Sequence, residues 1–273
     1  MVIQLSLVAS VGISVLEFEK MNLNQMRLRI LELAMKAREG HVPSALSILD
    51  IVWAWHRYQS EHESSKDTFI LSKGHASLAL YTVLECFDLL DGADLSTFCQ
   101  FESRFGGHPD RTKIGSIVAS TGSLGHGLPI AVGAALSKSK RGLHDSLTCC
   151  LIGDGEANEG SVWEAALLAS NFELNNLRCI VDNNRSGERA LPISDQLPEI
   201  FKSFGWDVIT IDGHDHFAIQ QALFVRSGPG KPRAIVANTI KGKGVPSMEN
   251  SPEWHHRSPT ELEYESFKSE LLK

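Results

Sequence analysis

Two short apolar runs, each ending in a turn rich in glycine or asparagine, most constrain what this chain can fold into. Residues 147–152 (LTCCLI) lead into Gly153-Asp154-Gly155, and residues 177–181 (LRCIV) lead into Asp182-Asn183-Asn184. Runs this short and apolar, bounded by turn formers, read as strands of a buried parallel sheet. Between them Trp163, Ala166, Leu167 and Ser170 recur at helical spacing, which predicts one face of a helix. The unit is therefore strand-helix-strand, and an open, mostly parallel α/β sheet is the fold class expected. In such sheets ligands bind beyond the carboxyl ends of the strands, where both turns fall. Glycines let backbone approach a ligand, and the following helix start offers free N–H groups and a positive dipole end, a combination suited to a diphosphate. Asp154 and Asn184 offer hard oxygens suited to Mg²⁺ or Ca²⁺. Taken singly, each turn is an ordinary turn; the information lies in their pairing across one unit.

That pairing, Gly153-Asp154-Gly155 followed by Asn183-Asn184, resembles the GDG…NN signature of thiamine diphosphate enzymes. The intervening EGSVWEA is similar to the transketolase branch of that group.

Composition agrees with a soluble α/β protein. Apolar residues make up 42% and charged residues 22%, which argues against disorder. A net charge of −7 gives no reason to expect nucleic acid. The five cysteines are odd in number and form no CxxC, so they read as reduced thiols of a cytoplasmic protein. Residues 2–16 lack charge but are too short to span a membrane, and no basic residue precedes them. Residues 1–21 are read as an N-terminal arm, and 22–273 as one α/β domain with helices and strands alternating to its end.

Further motifs extend the resemblance over roughly residues 22–270. Gly40-His41, Ser72-Lys73-Gly74-His75 and Gly106-Gly107-His108-Pro109 each resemble a histidine-bearing turn of transketolases, although Val42-Pro43 depart from the family's small residues. Thr121-Gly122-Ser123-Leu124-Gly125 resembles a segment whose glycine and leucine touch the aminopyrimidine ring, which maps onto Gly122 and Leu124. His126, where the family often has glutamine, is read as structural. Near the C-terminus the resemblance assigns one more histidine to His255, with His256 as the neighbouring alternative.

The resemblance implies His41, His75, His108 and His255 as the histidines around the reacting carbon. His75, Gly122, Leu124, Gly153, Asp154, Gly155, Asn184 and His255 would contact thiamine diphosphate. Asp154, Asn184 and the Ser186 carbonyl would hold Mg²⁺ (or Ca²⁺ or Mn²⁺). Glu159 would couple across a subunit interface to a catalytic glutamate. Residues 185–190 (RSGERA) depart from the family, and Leu191 or Ile193 is expected to supply the missing apolar contact with the cofactor.

A complete transketolase also needs a second domain that binds the pyrimidine and supplies the activating glutamate. The expectation is therefore the N-terminal half of a split enzyme, working with a C-terminal subunit in an α2β2 heterotetramer. It would move a two-carbon ketol unit from a ketose to an aldehyde, with sugar phosphates as substrates. The alternatives are the diphosphate-binding subunit of a 2-oxo acid decarboxylating enzyme and a catalytically silent partner protein; the several Gly-His motifs weigh against the first.

Overall fold

A five-stranded, wholly parallel sheet forms the centre of the computed structural model, which describes residues 22–62, 66–90, 94–189 and 191–272. The expected arm, residues 1–21, lies outside the described residues. The strands are β1 (Thr68–Leu71), β2 (Thr148–Gly153), β3 (Leu177–Asn183), β4 (Asp207–Asp212) and β5 (Arg233–Asn238), in spatial order β1-β2-β3-β5-β4. Strands β2 and β3 are buried along their whole length because helices cover both faces. This is why their sequences are continuous apolar runs and not alternating ones.

Side chains alternate between two cores. Cys149 and Leu151 face one layer, with α1 (Leu23–Ala37), α2 (Val42–Glu61), α3 (Ser77–Cys86), α7 (His216–Phe224) and α8 (Glu261–Leu271). Cys150 and Ile152 face the other, with α4 (Gly127–Lys140), α5 (Gly160–Asn171) and α6 (Leu197–Ser203). Each fully buried Leu or Ile side chain contributes roughly 1.5–3 kcal/mol, so these layers fix the sheet edge that the turns decorate.

The termini of the helices follow local chemistry. Asn22 and Thr260 form capping boxes with Gln25 and Glu263 at the starts of α1 and α8. Pro43 occupies the first turn of α2, where its missing N–H costs nothing. The Val42-Pro43 departure thus starts a helix. Helix α3 stops at Cys86, and Asp88 adopts a left-handed conformation.

One expectation fails in detail. The face that α5 buries is Val162, Ala165, Ala166 and Ala169, whereas Leu167 is 57% exposed. The neighbouring helix α4 approaches the alanine side, so small residues go inward. Leu167, Leu168, Phe172 and, on α4, Ile130 are left on the surface.

Candidate functional site

All strands run the same way, so Lys73-Gly74-His75, Asp154, Asn184 and Thr239-Ile240-Lys241 leave the sheet at one edge. They surround a cavity of about 330 Å³ that also receives His41, Ser44, His108, Gly122, Leu124 and His255. The four expected histidines, all the expected cofactor residues and the three expected metal-ligand residues therefore line one space. Glu159 does not line it; it is exposed at the N-cap of α5 and lies against the Gly125 turn.

Close packing explains two of the glycines. A Cβ on Gly74 would come within 2.8 Å of the Gly122 nitrogen, so the two turns meet main chain to main chain. Gly122 has φ 145°, and a Cβ there would lie 2.8 Å from the His108 ring. His108 is thereby seated over the turn, while the Tyr81 hydroxyl donates to its carbonyl at 3.0 Å.

The histidines form a cluster. The His41 ring centroid lies 5.1 Å from that of His75 and 6.2 Å from that of His255. Burial, followed by the charge of neighbouring histidines, pushes His41 down to about 4. Burial, then Lys73 and His41, pushes His75 down to about 2. Both rings are neutral at neutral pH and can accept as well as donate hydrogen bonds. His256, the alternative to His255, touches the cluster from outside the cavity. It pairs with Glu39 at 2.9 Å, its ring centroid sits 4.4 Å from that of His41, and it is not part of the cavity wall.

Beneath the cavity lies a polar floor that no local sequence motif announces. Asp182, fully buried at the end of β3, accepts from Ser47 Oγ (2.8 Å), Asn184 Nδ2 (2.8 Å), the Lys73 ammonium and the Thr239 hydroxyl. Glu156, equally enclosed, accepts from the N–H groups of Gly125 (2.9 Å) and Gly153 (3.1 Å) and from the Ser72 hydroxyl. Asp182 joins α2, β1, β3 and β5; Glu156 joins the ends of β1 and β2 to the Gly122–Gly125 turn. Weaker signals for both were present. Ser44, Ser47 and Asp50 recur every three residues on a buried apolar helix, and Glu156 directly follows the GDG turn.

The donor set fits a divalent cation bridged to phosphate. Burial, followed by the charge of Asp182, pushes the Asp154 carboxyl above its usual range, a surplus of negative charge that a cation relieves. Asp154 accepts from Gly155 N (2.7 Å), Gly187 N (3.2 Å) and Ser194 Oγ (3.4 Å), which leaves acceptor capacity on a carboxylate with about four lone-pair sites. Asn184 Oδ1 is engaged by the Ser186 N–H (3.0 Å) and hydroxyl, so the hydroxyl must turn away for Asn184 to ligate. Among the described residues no group of three or more His, Cys, Asp or Glu side chains is arranged to hold a metal alone. A site here needs oxygens from the ligand and from water. Lys73 and Lys241 add two cations to the same wall, which suits a diphosphate; Lys241 Nζ lies 2.8 Å from His255 Nδ1 and 3.2 Å from Ser186 Oγ.

The divergent loop after Asn184 lies over this floor. Gly187 packs against the Gly155 backbone, and its N–H reaches Asp154. Neither Leu191 nor Ile193, the residues expected to supply the apolar contact, lines the cavity. Leu191 is 59% exposed, and Ile193 packs into the core layer of α4, α5 and α6, because the short helical turn at Ser186–Arg189 carries both past the cavity. His126 is exposed at the start of α4, outside the cavity wall, with Nδ1 3.1 Å from the Leu124 carbonyl oxygen.

Comparison with known proteins gives a consistent result. The family described as "Transketolase, thiamine diphosphate binding domain" matches residues 18–271. An apulose-4-phosphate transketolase subunit of Phocaeicola vulgatus is 36% identical over 252 residues, covering 88% of each chain. Human transketolase is 36% identical over 242 residues, which cover 85% of this chain but 38% of that protein. The chain thus spans little more than a third of the length of such full-length relatives. Among solved structures, the transketolase from Leishmania mexicana superposes with a TM-score of 0.78 over 92% of this chain and 40% of that one. At 24% identity this shows the shared fold alone.

Proposed function

The chain belongs to the transketolase family, spanning its thiamine diphosphate binding domain, and from that premise we propose that it is the diphosphate- and metal-binding half of a two-chain transketolase. Relatives that match along most of both chains are themselves named as transketolase subunits, and this chain is accordingly a thiamine diphosphate-dependent transketolase subunit, a transferase. One observation carries the finer reading: Asp154 and Asn184, at the ends of adjacent strands, open onto a single cavity walled by four histidines and two lysines.

When bound, thiamine diphosphate supplies a nucleophilic carbon and an electron sink for breaking the bond beside a ketose carbonyl. On this chain Asp154, Asn184 and the Ser186 carbonyl hold Mg²⁺, or Ca²⁺ or Mn²⁺ in its place. The backbone of Gly153 and Gly155, with Lys73 and Lys241, receives the diphosphate, and Gly122 and Leu124 line the cavity where the pyrimidine ring would rest. His41 and His75, held neutral by burial, orient substrate hydroxyls as donors or acceptors, and they take up a proton only where charge developing on the bound substrate raises their basicity. His108 and His255 complete the ring of donors. The activating glutamate comes from a C-terminal subunit, with which Glu159 couples. The apolar surface of Ile130, Leu167, Leu168 and Phe172 supports a partner on that side, and an α2β2 heterotetramer is the assembly proposed.

Substrates are sugar phosphates. The names of these relatives make apulose 4-phosphate the first donor to test. Five free thiols support a cytoplasmic location, and no helix among the described residues is long and apolar enough to cross a membrane. The test is to mix the chain with its candidate C-terminal subunit, thiamine diphosphate, Mg²⁺, a ketose phosphate and an aldehyde. Formation of a ketose two carbons longer than the acceptor supports the proposal. Release of carbon dioxide from a 2-oxo acid in its place would favour the decarboxylase alternative.

A further inference from the structure

A second buried polar cluster lies behind the cavity, and the chemistry above leaves it unused. Asp50, on the inner face of α2, accepts from Arg27 Nη2 (2.8 Å), His214 Nδ1 (3.1 Å) and His216 Nε2 (2.9 Å). Burial alone would raise this carboxyl. The hydrogen bonds from His214 and His216 and the charge of Arg27 hold it well below the usual carboxylate range. Two of these partners continue to one loop, residues 239–245. The N–H of Ile240 donates to His214 Nε2 at 2.9 Å, and Arg27 Nε donates to the Lys243 carbonyl at 3.2 Å. Lys241 stands between those two anchors and projects its ammonium into the cavity.

The ring state of His214 follows from elementary chemistry. A backbone N–H can only donate, so Nε2 must be the unprotonated acceptor. The ring proton then sits on Nδ1, facing Asp50. These two contacts hold His214 in one tautomer, and a carboxylate on one side selects the acceptor offered on the other.

We infer that Asp50 and His214, with Arg27, form a positioning device that fixes Lys241 at the cavity wall by gripping the backbone on both sides of it. The ligand readout below rests on the reading of the cavity as a diphosphate site; the backbone readout does not. His216 binds the same carboxylate without reaching the loop, and so serves as an internal control.

The experiment uses the full chain with ¹⁵N-labelled histidine and three variants, His214→Asn, His214→Gln and His216→Gln. Asparagine places a donor near the Nδ1 position but is too short to accept from Ile240; glutamine restores an acceptor at the far position. Three quantities are measured: the His214 ring-nitrogen shifts, amide exchange at Ile240 and Lys241, and the calorimetric affinity for Mg²⁺-pyrophosphate. The expected result is a protonated Nδ1 and an acceptor-type Nε2 in the wild type. His214→Asn exchanges about tenfold faster at Ile240 and binds Mg²⁺-pyrophosphate about tenfold more weakly, the scale of one lost hydrogen bond. His214→Gln recovers most of both, and His216→Gln changes neither. Unchanged exchange at Ile240 in His214→Asn overturns the inference, as does faster exchange with unchanged affinity. If the wild type itself fails to bind Mg²⁺-pyrophosphate, the diphosphate reading fails, and the exchange arm still decides whether the loop is gripped.

Discussion

Replacing Lys73 by methionine tests the floor of the site. The Lys73 ammonium pairs with Asp182, and their side chains are 3% and 0% exposed. The substitution keeps the length of the side chain and removes its charge. Asp182 would retain the Ser47 and Thr239 hydroxyls and the Asn184 amide, but no counter-charge within the floor. Breaking a buried ion pair from one side costs about 3–5 kcal/mol, because the surviving charge stays desolvated. For a chain of this size, that corresponds to a melting midpoint lower by roughly 5–9 °C. Calorimetric unfolding of the wild type, Lys73→Met, Asp182→Asn and the double variant forms a double-mutant cycle. The double variant is expected to be more stable than Lys73→Met, because removing the second charge relieves the first loss. A Lys73→Met midpoint within about 2 °C of the wild type, or strict additivity in the cycle, would refute the account of Asp182 as the hub joining these elements.

Other consequences are testable in the same way. Glu156→Ala strands the N–H groups of Gly125 and Gly153 and the Ser72 hydroxyl; the expected loss is about 2–4 kcal/mol, read by chemical denaturation. His41 and His75 have folded-state values below the ordinary 6.5, at about 4 and about 2. The unfolded chain therefore takes up protons below about pH 6.5 that the folded chain refuses, and stability rises with pH through this window. The loss on acidification is at most about 1.4 kcal/mol per pH unit for each ring, less for rings in partial contact with water. His41→Gln is expected to flatten the profile between about pH 6.5 and 4, and denaturation midpoints at half-unit steps check it. Leu167→Asp with Leu168→Asp should leave the midpoint of the isolated chain within about 2 °C, since both residues are on the surface. The same pair should abolish co-elution with the C-terminal subunit in gel filtration.

The fold is readable wherever burial is complete. Strands β2 and β3 are covered on both faces, so their sequences are uninterrupted apolar runs, and their turns mark the edge where the cavity opens. The face of α5 is misread because its core contact is a stripe of alanines against α4, and a pattern that weights large apolar residues chooses Leu167 instead. The histidines are legible because each follows a glycine in a short motif, His255 excepted, which only the resemblance picks out. Asp50, Asp182, Glu156, Lys73 and Lys241 are harder to find. Their importance comes from partners distant in the chain, such as Thr239 for Asp182 and His214 for Asp50, and no local pattern encodes such pairs. His214 illustrates this. Locally it is one residue of the turn before α7, whose N-cap is Asp215. Its contact with the N–H of Ile240 arises only once β4 and β5 lie side by side.

The central claim is that Asp154 and Asn184 hold a metal that ties thiamine diphosphate to this chain. The most direct measurement is a calorimetric titration of thiamine diphosphate into the reconstituted two-chain assembly, with and without Mg²⁺, for the wild type and Asp154→Ala. The account predicts that binding by the wild type requires Mg²⁺ and that Asp154→Ala has no metal-dependent binding while still assembling with its partner. Equal affinity in the two proteins, or wild-type binding indifferent to Mg²⁺, would contradict it.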